Sequence, residues 1–329
     1  MLERLLGLAA AVSMVVGTAA APAAPSAQVA FTFQDPEIVE SSGLVATGDL
    51  FLTVNDSGDR GRVFVVDRTG RTVGTTTWSG DPVDVESLAP AGPGEVWVGD
   101  TGDNRRGRDV ITVLRVPYGP IDQEVTPAAY ELVYPDRAHD AETLMANPRT
   151  GQLFVVSKDV FGGTIYAAPR RLSADHPNRL RAVAEGFSFA TDGSFFPDGR
   201  HYIVRGYTSA AVYSFPDHER LDSFQLPGQD QGEGIAVGPD DRIYLSSEGQ
   251  FSDVLRLRLP AGVADAMTVV DEPPPAEQAE HDTEADPDAD AEPASDPLWP
   301  WVLGGGLGFV VLAFGAGAGW LLRRRGQAS

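Results

Sequence analysis

The chain has 329 residues, a formal net charge of −22, 42% hydrophobic residues and no cysteine. This charge argues against nucleic-acid binding, because a phosphate backbone requires a basic protein surface. The absence of cysteine excludes disulfides, cysteine-ligated zinc or iron–sulfur centres and a thiol nucleophile. The length is ample for a sizeable hydrophobic core.

The first 27 residues have the pattern of an export signal. Arg4 precedes a short apolar run, Leu5–Val16, and small residues follow that run. A basic start, a short apolar stretch and small residues are typical of a secretory signal peptide. We therefore predict a signal peptide over residues 1–27, with cleavage somewhere in the last eight of them. A retained N-terminal anchor is the alternative.

An acidic segment lies near the C-terminus. Residues 271–297 contain eleven acidic residues and six prolines but no lysine or arginine. Charge repulsion and the lack of large apolar side chains prevent a packed core, which predicts an extended disordered stalk. The stalk contributes −11 and the terminal arginines +3, while Glu3 and Arg4 cancel. Residues 28–270 therefore carry −14.

A single membrane span is predicted after the stalk. Residues 301–322 contain no charge, and as a helix they would reach about 33 Å, enough for a bilayer core. We place the transmembrane helix at residues 298–322 and a basic cytoplasmic tail at 323–329, because arginines follow the span at once. The chain is then a single-pass type I protein of the cell membrane, with its main domain outside the cytoplasm.

Five related segments divide residues 28–270. Each has an apolar strand, a turn rich in Gly, Pro or Asp, and a second apolar strand; the segments begin at Ser42, Glu86, Glu142, Thr191 and Glu233. About 40–50 residues for four strands is the size of a propeller blade. The repeats predict an all-β fold, a β-propeller of five four-stranded blades, with residues 29–34 closing the ring. Six or seven blades and an irregular β-sandwich are the alternatives.

The first residues of the repeats should form a ring at one mouth of the propeller channel. Three carboxylates in one narrow channel repel one another, and their burial raises their pKa values. A hard cation relieves this, and Ca²⁺ takes six to eight oxygen ligands. The predicted calcium ligands are Ser42, Glu86, Glu142, Thr191 and Glu233. In the alternative interpretation, the three glutamates bind the backbone of neighbouring blades and lock the ring.

The second strand of each blade returns to the same mouth. The residues expected there are the candidate ligand-binding residues Asp56, Asp100, Lys158, Arg205 and Glu248. The two cations among them predict an anionic extracellular ligand. Asp56 and Asp100 each open a D-x-G-D turn; such turns form readily because Asp caps them and Gly adopts positive φ.

Two segments resemble known propeller families. QGEGIAVGPDDRIYLSSEG and DAETLMANPRTGQLFVVSK are similar to blades of phytase-like esterase and SdiA-regulated-type propellers. The five-residue ring resembles the axial calcium site of five-bladed calcium-activated nucleotidases (apyrases), in which Ser and Glu side chains of successive blades hold one Ca²⁺. That resemblance implies the same ligand set here, with Thr191 in place of a serine. The segments that contact nucleotide in that family have no match.

Two functions are consistent with these features. The first is a surface-displayed binding or scaffold module with Ca²⁺ in its channel, and we favour it because no acid–base pair stands out beyond the ring. The alternative is a Ca²⁺-dependent hydrolase of phosphate esters or anhydrides, with the metal as Lewis acid and Lys158 and Arg205 stabilising phosphoryl charge. Fold alone does not choose between them, so catalysis and catalytic residues stay unassigned.

Overall fold

The computed structural model describes residues 25–271, except positions 57 and 81. The predicted membrane span, the cytoplasmic tail and all of the stalk after Asp271 lie outside the described residues, as do residues 1–24 of the predicted signal peptide. Ala27 already belongs to the first strand, so the folded domain begins inside the segment predicted as signal. In the part of the chain that is described, no helix is long and apolar enough to cross a membrane.

The described chain forms twenty-two strands and one helix. The first eight strands are β1 (Ala27–Thr32), β2 (Ser41–Ala46), β3 (Leu50–Asn55), β4 (Arg62–Asp67), β5 (Thr72–Trp78), β6 (Val85–Pro90), β7 (Glu95–Asp100) and β8 (Ile111–Pro117). The next seven are β9 (Gln123–Val125), β10 (Ala128–Val133), β11 (Ala141–Ala146), β12 (Leu153–Ser157), β13 (Thr164–Ala167), β14 (Asn178–Arg179) and β15 (Arg181–Glu185). The last elements are β16 (Asp192–Phe195), β17 (His201–Arg205), β18 (Ser209–Ser214), β19 (Arg220–Gln225), β20 (Gly232–Val237), β21 (Ile243–Ser247), β22 (Asp253–Leu257) and α1 (Ala261–Asp271).

These strands form five sheets around a ring, each built on four antiparallel strands, and the prediction of a five-bladed β-propeller is confirmed. Blades 1 to 4 run from an inner to an outer strand as β2–β5, β6–β7–β8–β10, β11–β12–β13–β15 and β16–β19. The inner strands β2, β6, β11, β16 and β20 contact their neighbours in a closed circle. In blade 5, β1 is the outer strand and pairs with β22, so the N-terminal segment closes the ring as predicted.

Apolar side chains pack between each pair of neighbouring blades. Between blades 1 and 2, for example, Leu52 and Val65 pack with Leu88 and Val98. Inner strands such as β2 and β11 are buried along their whole length, because neighbouring blades cover both of their faces. The strands therefore appear in the sequence as short continuous apolar runs without clear alternation.

Three elements were not predicted. Strand β9 pairs in parallel with the end of β5, and β14 pairs in parallel with the end of β10. The helix α1 packs beside β18 and β19. Its buried Val263 joins the apolar cluster between blades 4 and 5, so this eleven-residue helix belongs to the folded domain.

Candidate functional site

In four of the five blades, a β-bulge on the inner strand takes the first residue of the repeat out of the regular pairing with the second strand. In blade 2, Val85 pairs with Asp100 and Ser87 pairs with Gly99, which leaves Glu86 as the extra residue. Glu142 has the same place in blade 3. Shifts in strand register also occur at Ser42 in blade 1 and at Glu233 in blade 5. Bulges change the direction of a side chain and are common beside functional sites.

Blade 4 has no such bulge. Its ladder runs without a shift from the Asp192–Arg205 pair to the Phe195–Tyr202 pair. Thr191 lies just before this strand, and its hydroxyl donates a hydrogen bond to the backbone carbonyl of Glu233 at 2.9 Å. The fifth member of the predicted ring thus links blades 4 and 5, while its oxygen lone pairs stay available for other contacts.

Three carboxylates cluster between blades 1 and 2. Asp56, Asp84 and Glu86 each place one oxygen within 4.8 Å of the other two. Asp84 was not predicted as a site residue. Strand alternation gives no signal for it, because Asp84 precedes β6 and Glu86 is the bulge residue.

A glycine leaves room beside two of these acids. A Cβ atom on Gly102 would lie 2.5 Å from Asp84 Oδ2 and 2.7 Å from Glu86 Oε1. On the other side, Ser42 Oγ donates to Glu86 Oε2 at 3.3 Å. The Oδ1 atom of Asp84 is buried and has no hydrogen-bond partner within the described structure. The cluster therefore combines oxygen donors, a closely packed glycine backbone and an unpaired buried carboxylate oxygen.

Asp100 holds the segment that carries Asp84 in place. Its carboxylate accepts the backbone N–H groups of Val83 and Asp84 at 2.9 and 3.0 Å. Asn55 does the same in blade 1, where its Oδ1 accepts the N–H groups of Val39 and Glu40. Asp100 is therefore equivalent to Asn55 and not, as the sequence suggested, to Asp56. The two D-x-G-D turns are offset by one residue.

Lys158 is paired inside the site. Its Nζ donates to Glu142 Oε1 and, at 2.7 Å, to the hydroxyl of Tyr207. Tyr207 comes from blade 4, and sequence spacing gave no signal for this contact. The other carboxylate oxygen of Glu142 is buried and unpartnered among the described residues. Glu86 and Glu142 thus bond to side chains, in contrast to the alternative in which the ring glutamates bind blade backbone.

Arg205 is fully buried and occupied by protein groups. Its guanidinium donates to the backbone carbonyls of Gly206, Gly234 and Ser246 at 3.1 to 3.3 Å. Burial lowers its pKa to about 10. In this position Arg205 joins blades 4 and 5, and the predicted direct contact with an anionic ligand does not fit the geometry. The prediction missed this because the exposure of an arginine after a strand depends on the neighbouring blade.

Glu248 lies nearer to solvent than the ring residues. Its carboxylate accepts a hydrogen bond from the Gln231 side chain. Partial burial and the negative charges of Glu40 and Asp56 raise the pKa of Glu248. Glu248 therefore belongs to the same acidic mouth that the sequence predicted.

The acids of the channel mouth share raised pKa values. Burial, followed by the charges of Glu142, Asp56 and Asp84, raises the pKa of Glu86 to about 11. Burial raises the pKa of Glu142 to about 8 although Lys158 opposes the shift, and it raises that of Glu233 to about 7. Burial and neighbouring acids raise the pKa of Asp84 to about 6. Ionisation of these groups therefore opposes folding when no cation is bound.

The raised pKa values predict that the metal-free protein loses stability as pH rises. An acid whose folded-state pKa is raised binds more protons in the native state, so unfolding becomes easier between its unfolded and folded pKa values. For Glu233 and Glu142 that interval runs from about 4.5 to about 7 and 8. We expect a decrease of about 1 kcal/mol per pH unit for each such carboxyl.

Urea unfolding in EDTA at pH 5.5, 6.5 and 7.5 measures this effect. The Glu142→Gln/Glu233→Gln variant should show a flatter profile than the wild type. A wild-type free energy of unfolding that increases from pH 5.5 to 7.5 would contradict the electrostatics of the site.

Comparisons with known proteins give the following results. No protein-family model and no curated protein matches the chain. Among solved structures, a gluconolactonase from Xanthomonas campestris has a TM-score of 0.45 and 14% identity, covering 67% of this chain and 72% of that one. A glucose dehydrogenase has a TM-score of 0.43 and 10% identity, covering 72% of this chain and all of its own. Such values assign neither an activity nor a ligand to this chain.

Proposed function

We propose that this protein is a membrane-anchored, extracytoplasmic binding module that holds Ca²⁺ at the mouth of its propeller channel. The observation that supports the cation most is the cluster of Asp56, Asp84 and the buried Glu86, in which one buried oxygen of Asp84 has no partner among the described groups. Carboxylate and hydroxyl oxygens are the ligands that Ca²⁺ prefers. Buried carboxylates of one sign are costly unless a cation or a proton neutralises them.

The proposed ligand set extends the predicted ring. Asp56, Asp84 and Glu86 form its centre, and the Ser42 hydroxyl lies beside Glu86. The remaining ring members, Glu142, Thr191 and Glu233, are the further ligands that the sequence predicts. Gly102 contributes space, since any side chain there would meet Asp84 and Glu86. Lys158, held by Glu142 and Tyr207, provides one positive group for an anionic ligand near the cation.

Calcium binding has a direct test. Titration of Ca²⁺ into the metal-free protein at pH 7.5 should give one binding event, and Ca²⁺ at 100 times Kd should add about 2.7 kcal/mol to the free energy of unfolding. For a domain of this size, Tm should rise by about 5–10 °C. Mg²⁺ at the same concentration is the control, because its smaller ion requires octahedral geometry. Identical melting curves in EDTA and in Ca²⁺ would reject the proposed cation.

The membrane anchor is proposed from the sequence alone. The uncharged run at residues 301–322 and the arginines after it support a single span with the propeller outside. Expression of the full chain and of a chain ending at residue 297 separates the possibilities. The full chain should sediment with membranes and the shortened chain should be released to the medium. Release of both chains would reject the anchor.

The second candidate function is Ca²⁺-dependent hydrolysis of phosphate esters or anhydrides. The observation that favours it is the position of Lys158, whose Nζ is fixed by Glu142 and Tyr207, because such a cation stabilises phosphoryl charge. Burial also raises the pKa of Glu233 to about 7, and a general base works best with a pKa near the ambient pH. A bound cation would supply Lewis-acid chemistry. Turnover of nucleotides, phosphomonoesters and phosphodiesters with and without Ca²⁺ tests this function, and turnover retained by Glu86→Gln/Glu233→Gln would argue against it.

A further inference from the structure

Short strands cover the outer edges of blades 1 and 2. Strand β9 pairs in parallel with Thr76–Trp78, the last residues of β5. Strand β14 pairs in parallel with Leu132 and Val133, the last residues of β10. In both cases the covering strand leads into the outer strand of the next blade, β10 or β15. The chain thus adds a fifth strand to each of these two blades at the same place.

Blade 3 lacks this fifth strand. Among the described strands, its outer strand β15 pairs only with β13. In blade 4, the segment equivalent to β9 and β14 is the connection between β18 and β19. This connection contains only residues 215–219. Five residues that already form a tight connection leave no length for an added strand. The outer edge of β15 therefore presents backbone groups with no strand beside them, which is a template for strand pairing.

A groove occupies the position of the missing strand. Its volume is about 800 Å³, within the range of ligand sites. Its lining includes Glu185 and Gly186, at the C-terminal end of β15, and Arg220 and Phe224 of β19. In blades 1 and 2, the fifth strand likewise lies beside the C-terminal end of the outer strand, β5 or β10.

Exposed aromatic side chains line the groove. Phe161 is 100% exposed and Phe189 is 42% exposed, although phenylalanine is normally buried. Tyr207 also lines the groove. At Gly206, an added Cβ would lie 2.8 Å from the carbonyl oxygen of Phe189, so glycine lets these two backbone segments of the groove wall pack closely. An apolar wall beside an unpaired strand edge is typical of sites that bind extended peptides.

Charge restricts the kind of peptide that fits. The groove contains one acid and one base, Glu185 and Arg220, but residues 28–270 carry −14 in total. Long-range attraction therefore favours a partner of positive charge. The acidic stalk of this chain has the wrong sign, and its prolines lack the N–H groups that a strand needs.

We propose that this groove binds an extended segment of a partner protein, which adds to β15 as a parallel strand. The segment has apolar side chains at alternate positions, to contact Phe161 and Phe189, and a net positive charge. Backbone pairing along β15 does not use the Asp56, Asp84 and Glu86 cluster, which lies between blades 1 and 2, although Tyr207 both lines the groove and holds Lys158.

A labelled ten-residue peptide of alternating valine and lysine serves as the probe for the full-length protein. We expect saturable binding by fluorescence anisotropy, and slower amide hydrogen exchange at residues 183–187 when the peptide is bound. A second peptide with the same side chains, N-methylated at alternate backbone amides, should bind at least about tenfold more weakly because it cannot complete the ladder. Both peptides carry the same charge, so the comparison isolates the backbone bonds.

Two matched protein variants locate the site. Phe161→Ser should weaken binding about fivefold, because an exposed aromatic anchor is lost without disturbance of the core. Phe251→Ser is the control, since Phe251 is also an exposed loop residue, at 53%, but lies in blade 5 outside the groove. Equal binding of the N-methylated peptide, equal effects of the two variants, or exchange protection elsewhere would overturn the proposal. Self-association through this edge, or no binding at all, would overturn it too.

Discussion

Replacement of Asp192 by alanine should destabilise the propeller by about 3–5 kcal/mol, because three backbone N–H groups lose the carboxylate that accepts them. Asp192 is fully buried in blade 4. Its carboxylate accepts the N–H groups of Leu44 in blade 1 and Ile235 in blade 5, at 3.3 and 2.8 Å, and that of Gly193 in its own blade. Each buried donor that loses its partner costs about 1–3 kcal/mol.

The reason for this dependence is the place of Asp192 in the ring. The inner strand of blade 4 has no bulge, and the Asp192 side chain instead bridges the inner strands of blades 1 and 5. Burial raises the pKa of Asp192 well above its usual value, so a neutral side chain is tolerated there. Asp192→Asn should therefore lose much less stability than Asp192→Ala, because the amide oxygen can still accept N–H groups.

Thermal and urea unfolding measure both variants. Asp192→Ala should lower Tm by about 10 °C or more, with Asp222→Ala as the control, because Asp222 lies exposed on β19 of the same blade. A Tm for Asp192→Ala within about 2 °C of that control, under the same buffer conditions, would show that the three N–H groups find other partners.

The second large effect is expected from the variant Asp84→Asn/Glu86→Gln, and it has opposite signs with and without calcium. In EDTA at pH 7.5 the variant should be more stable than the wild type, because folding of the wild type must protonate the buried Glu86 and hold the ionised Asp84 beside Asp56. In Ca²⁺ the order should reverse, because the variant lacks two of the three clustered carboxylates. We expect at least about a hundredfold loss of Ca²⁺ affinity, about 2.7 kcal/mol.

A charge-matched control distinguishes an effect of the carboxylate cluster from an effect of the protein's net charge. Asp222→Asn/Glu124→Gln changes the net charge by the same amount at exposed positions on β19 and β9. Differential scanning calorimetry in EDTA and in Ca²⁺ compares the three proteins. If the control and the site variant respond alike to Ca²⁺, the stabilisation is a general effect of screening and the cluster is not the binding site.

The blade repeat was readable from the sequence, but the offset within it was not. The strand–turn–strand pattern places Ser42, Glu86, Glu142 and Glu233 at bulges of four inner strands. Asp100 was misplaced because the first hairpin of blade 2 has a longer turn: residues 91–95 separate the paired Pro90 and Val96, whereas residues 47–50 separate the paired Ala46 and Phe51 in blade 1. A single extra residue at a strand end changes which side chain faces the channel, and a repeat alignment does not detect it.

The missing cysteines already excluded disulfides and thiol chemistry, and the high negative charge argued against nucleic-acid binding. The hydrophobic repeat already implied a five-bladed ring closed by its N-terminal strand. These properties depend on composition and on strand periodicity, which are local. Only the tertiary structure revealed that Asp84 joins Asp56 and Glu86, that Lys158 is held by Tyr207, and that Arg205 is buried. Those contacts join residues of different blades, so they depend on how separate sheets pack around the axis. The repeat pattern along the chain does not specify the distances between side chains of neighbouring blades.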